Sequence, residues 1–410
     1  MRNCKSGDGC PIVRRESVDT MAVPTPRLRL LLVTRNLPPL VGGMERLNWH
    51  MAQELAHRAD VRVVGPRGAA ALAPPGVAVE EAPLKPLWRF LLGAQWRALR
   101  RARQWRPDVI LAGSGLVAPI AWLAARLCGA RAAVYVHGLD IAVRHKVYRA
   151  LWHPLIRRMD TVIANSNPTR DLAIAMGVRP ERIGIVHPGV DVSTDALPPQ
   201  AVAEFRVRHQ LGQRPVLLSV GRLSRRKGLR EFVSDVLPAV AAVMPDVLLL
   251  IVGDAPTQAL HAQAQTPQSI QKAADAHGVG GNIKFLGVIV DRAELAAIYR
   301  AAHIHVFPVQ HIPHDPEGFG MVAIEAAAHG LPTVAYATGG VIDAVAEGQS
   351  GHLVAPGDTQ AMAKAILDTL RTPGALAASS RAFATRFDWP VFGDHVFRCI
   401  APPSPGGPQP

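Results

Sequence analysis

Apolar residues along this chain cluster in short dense runs, separated by longer stretches where they recur every three or four positions. The short runs predict strands buried on both faces, and the longer stretches predict helices that bury one side. In the first half the strand segments are 28–33, 61–64, 109–112, 132–136, 161–164 and 183–186. In the second they are 216–220, 247–252, 283–286, 304–307, 333–335 and 352–354. Strand and helix patterns alternate throughout, which predicts an α/β chain of doubly wound parallel sheets. A polar, proline-containing stretch at 191–200 is the expected join between two halves. At 410 residues and 49% apolar composition, the chain can bury two cores.

Several strand ends carry glycine and charge together. After 304–307 comes Glu317-Gly318-Phe319-Gly320-Met321, and Glu325 follows in an Ala-rich, helix-prone segment. This predicts a strand-to-helix turn whose free amides attract an anion such as phosphate, with two carboxylates alongside to accept sugar hydroxyls. After 216–220 comes Gly221-Arg222-Leu-Ser-Arg-Arg-Lys227-Gly228. Here glycine permits close approach, while Arg222 and Lys227 can reach the same diphosphate. The spacing is not that of a P-loop. Gly42-Gly43 opens a helix after the first strand, and His137 ends a buried strand with Asp140 three residues on. Strand ends at the carboxyl edge of such a sheet face the ligand crevice.

Taken in order, Gly42-Gly43-Met-Glu45, His137-Gly-Leu-Asp140, Val220-Gly-Arg-Leu…Lys227-Gly228, Leu250-Ile-Val-Gly253-Asp254, Phe285-Leu-Gly287 and Glu317-Gly-Phe-Gly…Glu325 resemble a retaining glycosyltransferase of family 4. The resemblance spans roughly residues 28–400. It implies a GT-B fold, two Rossmann-like domains facing across a cleft: residues 27–192 toward acceptor and membrane, 193–387 toward the nucleotide sugar, and a helix at 388–400 crossing back. It also implies roles. Gly42 and Gly43 flank the donor diphosphate, and Arg222 and Lys227 neutralise it. Glu317 binds sugar hydroxyls, Phe319, Gly320 and Met321 offer helix-start amides beside Gly318, and Glu325 accepts the ribose hydroxyls. His137 lies by the transferred sugar with Asp140 positioning it or an acceptor hydroxyl, and Gly221, Gly253 and Asp254 line the nucleotide. Retention through front-face displacement needs no protein nucleophile, and no metal cofactor is expected. One departure is Val309 after Phe307-Pro308, where the family has a small hydroxyl residue.

Charge adds a second theme. Residues 1–200 hold 28 Lys/Arg against 15 Asp/Glu, whereas 201–410 hold 17 of each, so the net charge of +13 sits in the first half. This implies an anionic partner for that half. Residues 85–106 hold seven Lys/Arg, three tryptophans and no acid, with Arg89, Arg97, Arg100 and Arg103 alternating with Trp88, Leu91, Leu92, Trp96 and Leu99. That composition suits an interfacial helix on anionic lipid, reinforced by a basic-aromatic stretch at 144–158. An anionic membrane surface is therefore favoured as partner over nucleic acid, with a lipid-linked or saccharide acceptor. Cysteines 4, 10, 128 and 399 show neither paired nor metal-ligand spacing, which predicts a reduced, cytoplasmic protein, and the basic-aromatic stretches place it at the inner membrane face. Residues 1–26 lack an apolar signal core and are expected to be disordered, as is the Pro/Gly tail at 401–410, and Met21 is a second possible start. The longest uncharged run, 109–125, contains Gly113, Gly115 and Pro119 and fits a buried strand and helix better than a membrane span.

Two other classes compete. Gly113-Ser-Gly115-Leu-Val-Ala118 matches a dinucleotide fingerprint, with Asp140 in range as the ribose acid, which would make a dehydrogenase. A non-catalytic nucleotide-sugar-binding protein is the second. Four histidines, His303, His305, His311 and His314, precede the Glu317 turn, and packing accounts for them better than a metal.

Overall fold

The computed structural model describes residues 27–192, 197–255 and 264–401. The expected disordered extension at 1–26, the tail beyond 401 and part of the expected join at 191–200 lie outside the described residues. The described chain forms two all-parallel sheets. The first contains β1 (Leu28–Val33), β2 (Ala59–Pro66), β3 (Ala78–Ala82), β4 (Val109–Ala112), β5 (Arg131–Val136), β6 (Thr161–Ala164) and β7 (Ile183–Ile185), in the order β3-β2-β1-β4-β5-β6-β7. The second contains β8 (Val216–Val220), β9 (Leu248–Val252), β10 (Ile283–Gly287), β11 (Ile304–Phe307), β12 (Thr333–Tyr336) and β13 (Gly351–Val354), in the order β10-β9-β8-β11-β12-β13. Both are doubly wound, and their strand orders reverse at β1/β4 and β8/β11.

Every strand segment expected from the apolar runs is present, and β3 is an addition. Its sequence Ala-Val-Glu-Glu-Ala is too polar to stand out, because it is an edge strand paired on one side only. Glu81 there accepts the backbone N–H groups of Gly68 and Ala70, each at 2.9 Å, and Glu80 pairs with Arg101. Central strands are mostly apolar because helices cover both faces. Leu31 and Val33 of β1 point into one core, and Leu30 and Leu32 into the other.

The helices that cover the two sheets include α1 (Gly43–Ala56), α2 (Leu87–Trp105), α3 (Ala118–Cys128), α4 (Lys146–Ile156), α5 (Met321–Ala328) and α6 (Trp389–Ile400). The uncharged run at 109–125 becomes β4, a turn and most of α3. Among the described residues no helix is long and apolar enough to cross a membrane. Helix α6 packs on the first sheet's layer, with Trp389, Phe392, Val396 and Ile400 buried beside Leu47, Met51 and Leu55 of α1. The chain therefore leaves the first sheet near Val190 and returns at Asp388. These two passages lie side by side, and the Val190 N–H donates to Phe387 O at 2.8 Å.

Helix α2 buries Phe90, Ala94, Ala98 and Ala102, a stripe at four-residue spacing, against the first core. Its outer side carries Trp88 (58% exposed), Leu92 (65%) and Trp96 (58%). Arg89 approaches the Trp88 ring, and Arg97 and Arg100 flank Trp96 at 5.6 and 5.5 Å. The expected interfacial face is thus narrower than the composition suggested. Leu91 and Leu99 pack toward the core, and Trp105 turns inward beneath Arg62, 4.4 Å from its ring. Leu123 and Leu127 on α3 and Val147 and Leu151 on α4 extend the exposed apolar surface.

Candidate active site

In open parallel sheets, ligands settle outside the carboxyl ends of the strands where strand order reverses. At β8/β11, three loops stack backbone to backbone. A Cβ on Gly253 (φ 131°) would lie 1.9 Å from Gly221 O, and one on Gly228 (φ 68°) would lie 2.1 Å from Pro308 O. Only glycine permits these approaches. They bring the end of 221–228 against the loop that leads from β11 into α5.

Lys227 and Glu317 meet inside this stack. Lys227 Nζ lies 2.9 Å from Glu317 Oε2, and Arg226 Nε lies 3.2 Å from the same oxygen. Arg226 also donates to Asp315, and Lys227 sits 4.6 Å above the Phe307 ring. Burial opposes ionisation of Glu317, but Lys227 and then Arg226 outweigh it and hold the carboxyl below its usual range. Burial is also the largest influence on Lys227, whose ammonium titrates below its ordinary value despite Glu317. Glu317 Oε2 is buried between the two cations, held by their charge and by the Lys227 ammonium at hydrogen-bonding distance.

Glu325 projects from α5. Its Oε2 accepts from the Tyr299 hydroxyl at 3.0 Å, and its other oxygen pairs with Arg46 of α1, across the cleft. Burial pushes its pKa up, but Arg46 more than reverses this. Nearby, Gly43 faces Met321, where an added Cβ would stand 3.6 Å from the sulfur. Phe319 is buried against His187 (ring centroids 5.1 Å apart) and Phe387, so only its backbone is available to a ligand.

His137 reaches the same cleft from β5. Its Nε2 lies 3.0 Å from Gly113 O, a pure acceptor, which places the proton on Nε2. Its backbone O is so close to Gly318 that a Cβ there would stand 2.4 Å away. Asp140 accepts from the backbone N–H groups of His137 at 2.9 Å and Gly115 at 2.8 Å. Asp140 therefore ties two strand-end loops together and fixes where His137 begins.

The structure thus brings together Gly43, His137, Lys227, the turn Glu317–Met321 and Glu325. Arg222 and Asp254 are exposed at the rim, although Arg222 still contributes to the field on Lys227 and Glu317. Sequence reasoning missed Arg46, Arg226, Tyr299 and Asp315. Arg226 adjoins Lys227 in a basic run, a signal that was present. Tyr299 lies in an amphipathic helix and Arg46 pairs with a residue 279 positions away, so neither was visible.

The dinucleotide reading does not survive. A Cβ on Gly113 would stand 2.1 Å from Asn48 Oδ1, and Gly115 packs against Asp140. These glycines admit protein rather than a pyrophosphate, and the proposed ribose acid is bonded to the loop itself. The histidines do not converge: His303 accepts the Val216 N–H at 3.0 Å, while buried His305 lies 3.1 Å from Thr333 Oγ1. Burial and then Lys227 push the His305 pKa down to about 3.

Two facing doubly wound sheets with these groups in the cleft define the GT-B class of glycosyltransferases. Residues 41–194 match Glycosyltransferase Family 4 and residues 214–372 match Glycosyl transferases group 1. A GDP-mannose-dependent alpha-(1-6)-phosphatidylinositol monomannoside mannosyltransferase of Mycolicibacterium smegmatis is 31% identical over 85% of this chain and 91% of its own. A glycogen synthase of Mycobacterium tuberculosis is 30% identical over 88% and 92%. The structure of HepE from Anabaena in complex with UDP superposes with a TM-score of 0.72 at 22% identity, covering 90% of this chain and 99% of that one. The chain belongs to glycosyltransferase family 4, and it is a glycosyltransferase.

Proposed function

We propose that this protein moves a hexose from a nucleotide-diphosphate sugar, with retention and without a metal, to a lipid-linked or envelope glycan acceptor at the cytoplasmic face of a membrane. The observation that carries the donor half is the buried Lys227–Glu317 pair beside the first turn of α5. Lys227, assisted by Arg222, stabilises the departing diphosphate, and helix-start amides share that load. Glu317 holds sugar hydroxyls, and Glu325 accepts from the ribose once Arg46 yields. The bond from the anomeric carbon to phosphate oxygen breaks while the bond to the acceptor oxygen forms on the same face. The leaving phosphate oxygen takes the acceptor proton, and His137 borders the sugar. The M. smegmatis and Anabaena relatives, whose names specify GDP-mannose and UDP, support a nucleotide donor of this kind.

A soluble glucan acceptor, as the glycogen synthase relative suggests, is the second reading. The stripe of Trp88, Leu92 and Trp96 bordered by arginines favours membrane, since exposed tryptophan beside cations suits a lipid interface. Calorimetry with UDP, GDP and ADP sugars, followed by assay of released nucleoside diphosphate and product anomer, tests the donor and the retention. Reversing Arg89, Arg100 and Arg103 to Glu should abolish sedimentation with anionic vesicles, since each surface cation contributes about 1 kcal/mol there, and leave donor affinity intact. Equal sedimentation of wild type and variant would favour the soluble acceptor.

A further inference from the structure

A cavity of about 380 Å³ opens between the two domains beside the donor site. One wall comes from the first domain, with Leu139, Val143, Arg144 and His145; the other comes from Arg225, Arg226 and residues 312–315. Its charge is lopsided, with three guanidinium groups around one carboxylate, Asp315, which already pairs with Arg226. His314 in this wall holds φ +69°, a backbone state that non-glycine residues seldom adopt. Arg226 is shared, because it lines the cavity and also stands 3.2 Å from Glu317. An anion seated here would therefore lie one side chain away from the carboxylate assigned to the transferred sugar. Val147 and Leu151 are exposed on α4, which begins at Lys146, directly after the wall residue His145.

We propose that this cavity binds a phosphate carried by the acceptor close to its receiving hydroxyl, with Arg144 and Arg225 as the principal ligands and any apolar tail leaving along Val147 and Leu151. The inference rests on the transferase reading for its role, and it adds an acceptor class, a sugar or polyol bearing a phosphate ester or diphosphate. Guanidinium forks suit phosphate oxygens, and a site between domains places acceptor phosphate and donor sugar within one cleft.

The test separates the two readings. Full-length protein is first saturated with whichever nucleoside diphosphate it binds, which closes the donor site to phosphate. Glycerol 3-phosphate, dihexanoyl phosphatidic acid and dihexanoyl phosphatidylcholine are then titrated by calorimetry. Wild type should bind both phosphate monoesters, the lipid form more tightly, and bind phosphatidylcholine far more weakly. Equal affinity for glycerol phosphate and phosphatidic acid would remove the tail path and keep the phosphate site for a soluble acceptor. Arg144→Ala and Arg225→Ala should each lower monoester affinity about tenfold, as expected for loss of one charged hydrogen-bonding group, and Arg144→Glu should abolish it. Nucleoside diphosphate affinity should stay unchanged in Arg144→Glu, which also shows that the variant folds. Monoester binding unaltered by Arg144→Glu, or equal binding of phosphatidylcholine, overturns the proposal. Failure of wild type to bind any nucleoside diphosphate would instead overturn the donor assignment, leaving the phosphate titration to judge the cavity separately.

Discussion

The two switch points share a topology and differ in what fills them. At β1/β4 the crevice is closed by protein: Asn48 and Thr34 crowd Gly113, and Asp140 caps Gly115. At β8/β11 the glycines bring backbones together, and the charged groups Lys227, Arg226 and Glu317 gather just beyond them. A glycine-rich turn at a strand end is thus ambiguous until its neighbours are known. One arrangement buries protein against protein, and the other builds a charged cradle. Two Rossmann-like halves in one chain have divided the labour.

The largest expected effect lies at the cradle. Lys227→Ala should cut turnover by about a hundredfold or more, the usual cost of removing one preorganised stabiliser of developing charge, and should weaken nucleoside diphosphate binding while sparing free nucleoside. Single-turnover kinetics and calorimetry would check this, and undiminished diphosphate affinity would erase the distinction between the two crevices. Next come the glycines themselves. Gly253→Ala sets a Cβ against the fixed backbone of Gly221 with Gly253 at φ 131°, whereas Gly113→Ala meets only side chains, Asn48 Oδ1 at 2.1 Å and Thr34 Cβ at 2.8 Å, with no left-handed backbone to strain. The first should lose about 1–3 kcal/mol of stability through strain and the second less, as thermal melts would show. If Gly113→Ala proved the costlier, the β1/β4 crevice would be the more rigid of the two.

The smallest effect is one of pH. His50 is buried on α1, stacked on Trp389 with centroids 4.0 Å apart, and burial pushes its pKa down to about 4. Buried His305 and half-buried His329 are shifted the same way, to about 3 and about 4. A histidine depressed in the folded state binds its proton more readily when unfolded, so the stability it confers is complete above about pH 6.5. That stability is lost as pH falls toward 4. His50→Phe keeps a ring against Trp389 and removes the titration, so melting temperature should fall less steeply between pH 6.5 and 4 than in wild type. Parallel slopes would mean that His305 and His329, in the second domain, dominate acid sensitivity.

Much of this architecture was legible because buried parallel strands have no polar face to confuse the pattern, as in 109–112 and 304–307. Strand β3 was not, since an edge strand can carry Glu80 and Glu81. At the site, Lys227 and Glu317 were visible through the glycines around them. Arg46 and Tyr299 were not, because nothing local to either announces Glu325. The basic helix was over-read for a related reason. Composition cannot say which side of a helix is turned inward, and α2 keeps Leu91, Leu99 and Trp105 against the core.

The paired passages at Val190 and Asp388 bear on how the cleft must open. A single linker would let one domain swivel in any direction about a point. Two passages bridged side by side at Val190 and Asp388 restrict that freedom, so the halves are hinged there, as a book is at its spine. Across the cleft, Arg46 meets Glu325 and Asn167 donates to Asp343, with Nδ2 3.1 Å from Oδ1. Those cross-cleft bonds part and re-form without disturbing a single strand of either sheet. Opening the cleft therefore asks only a few side chains to let go, while Trp389 and Phe392 keep their places in the first domain's core.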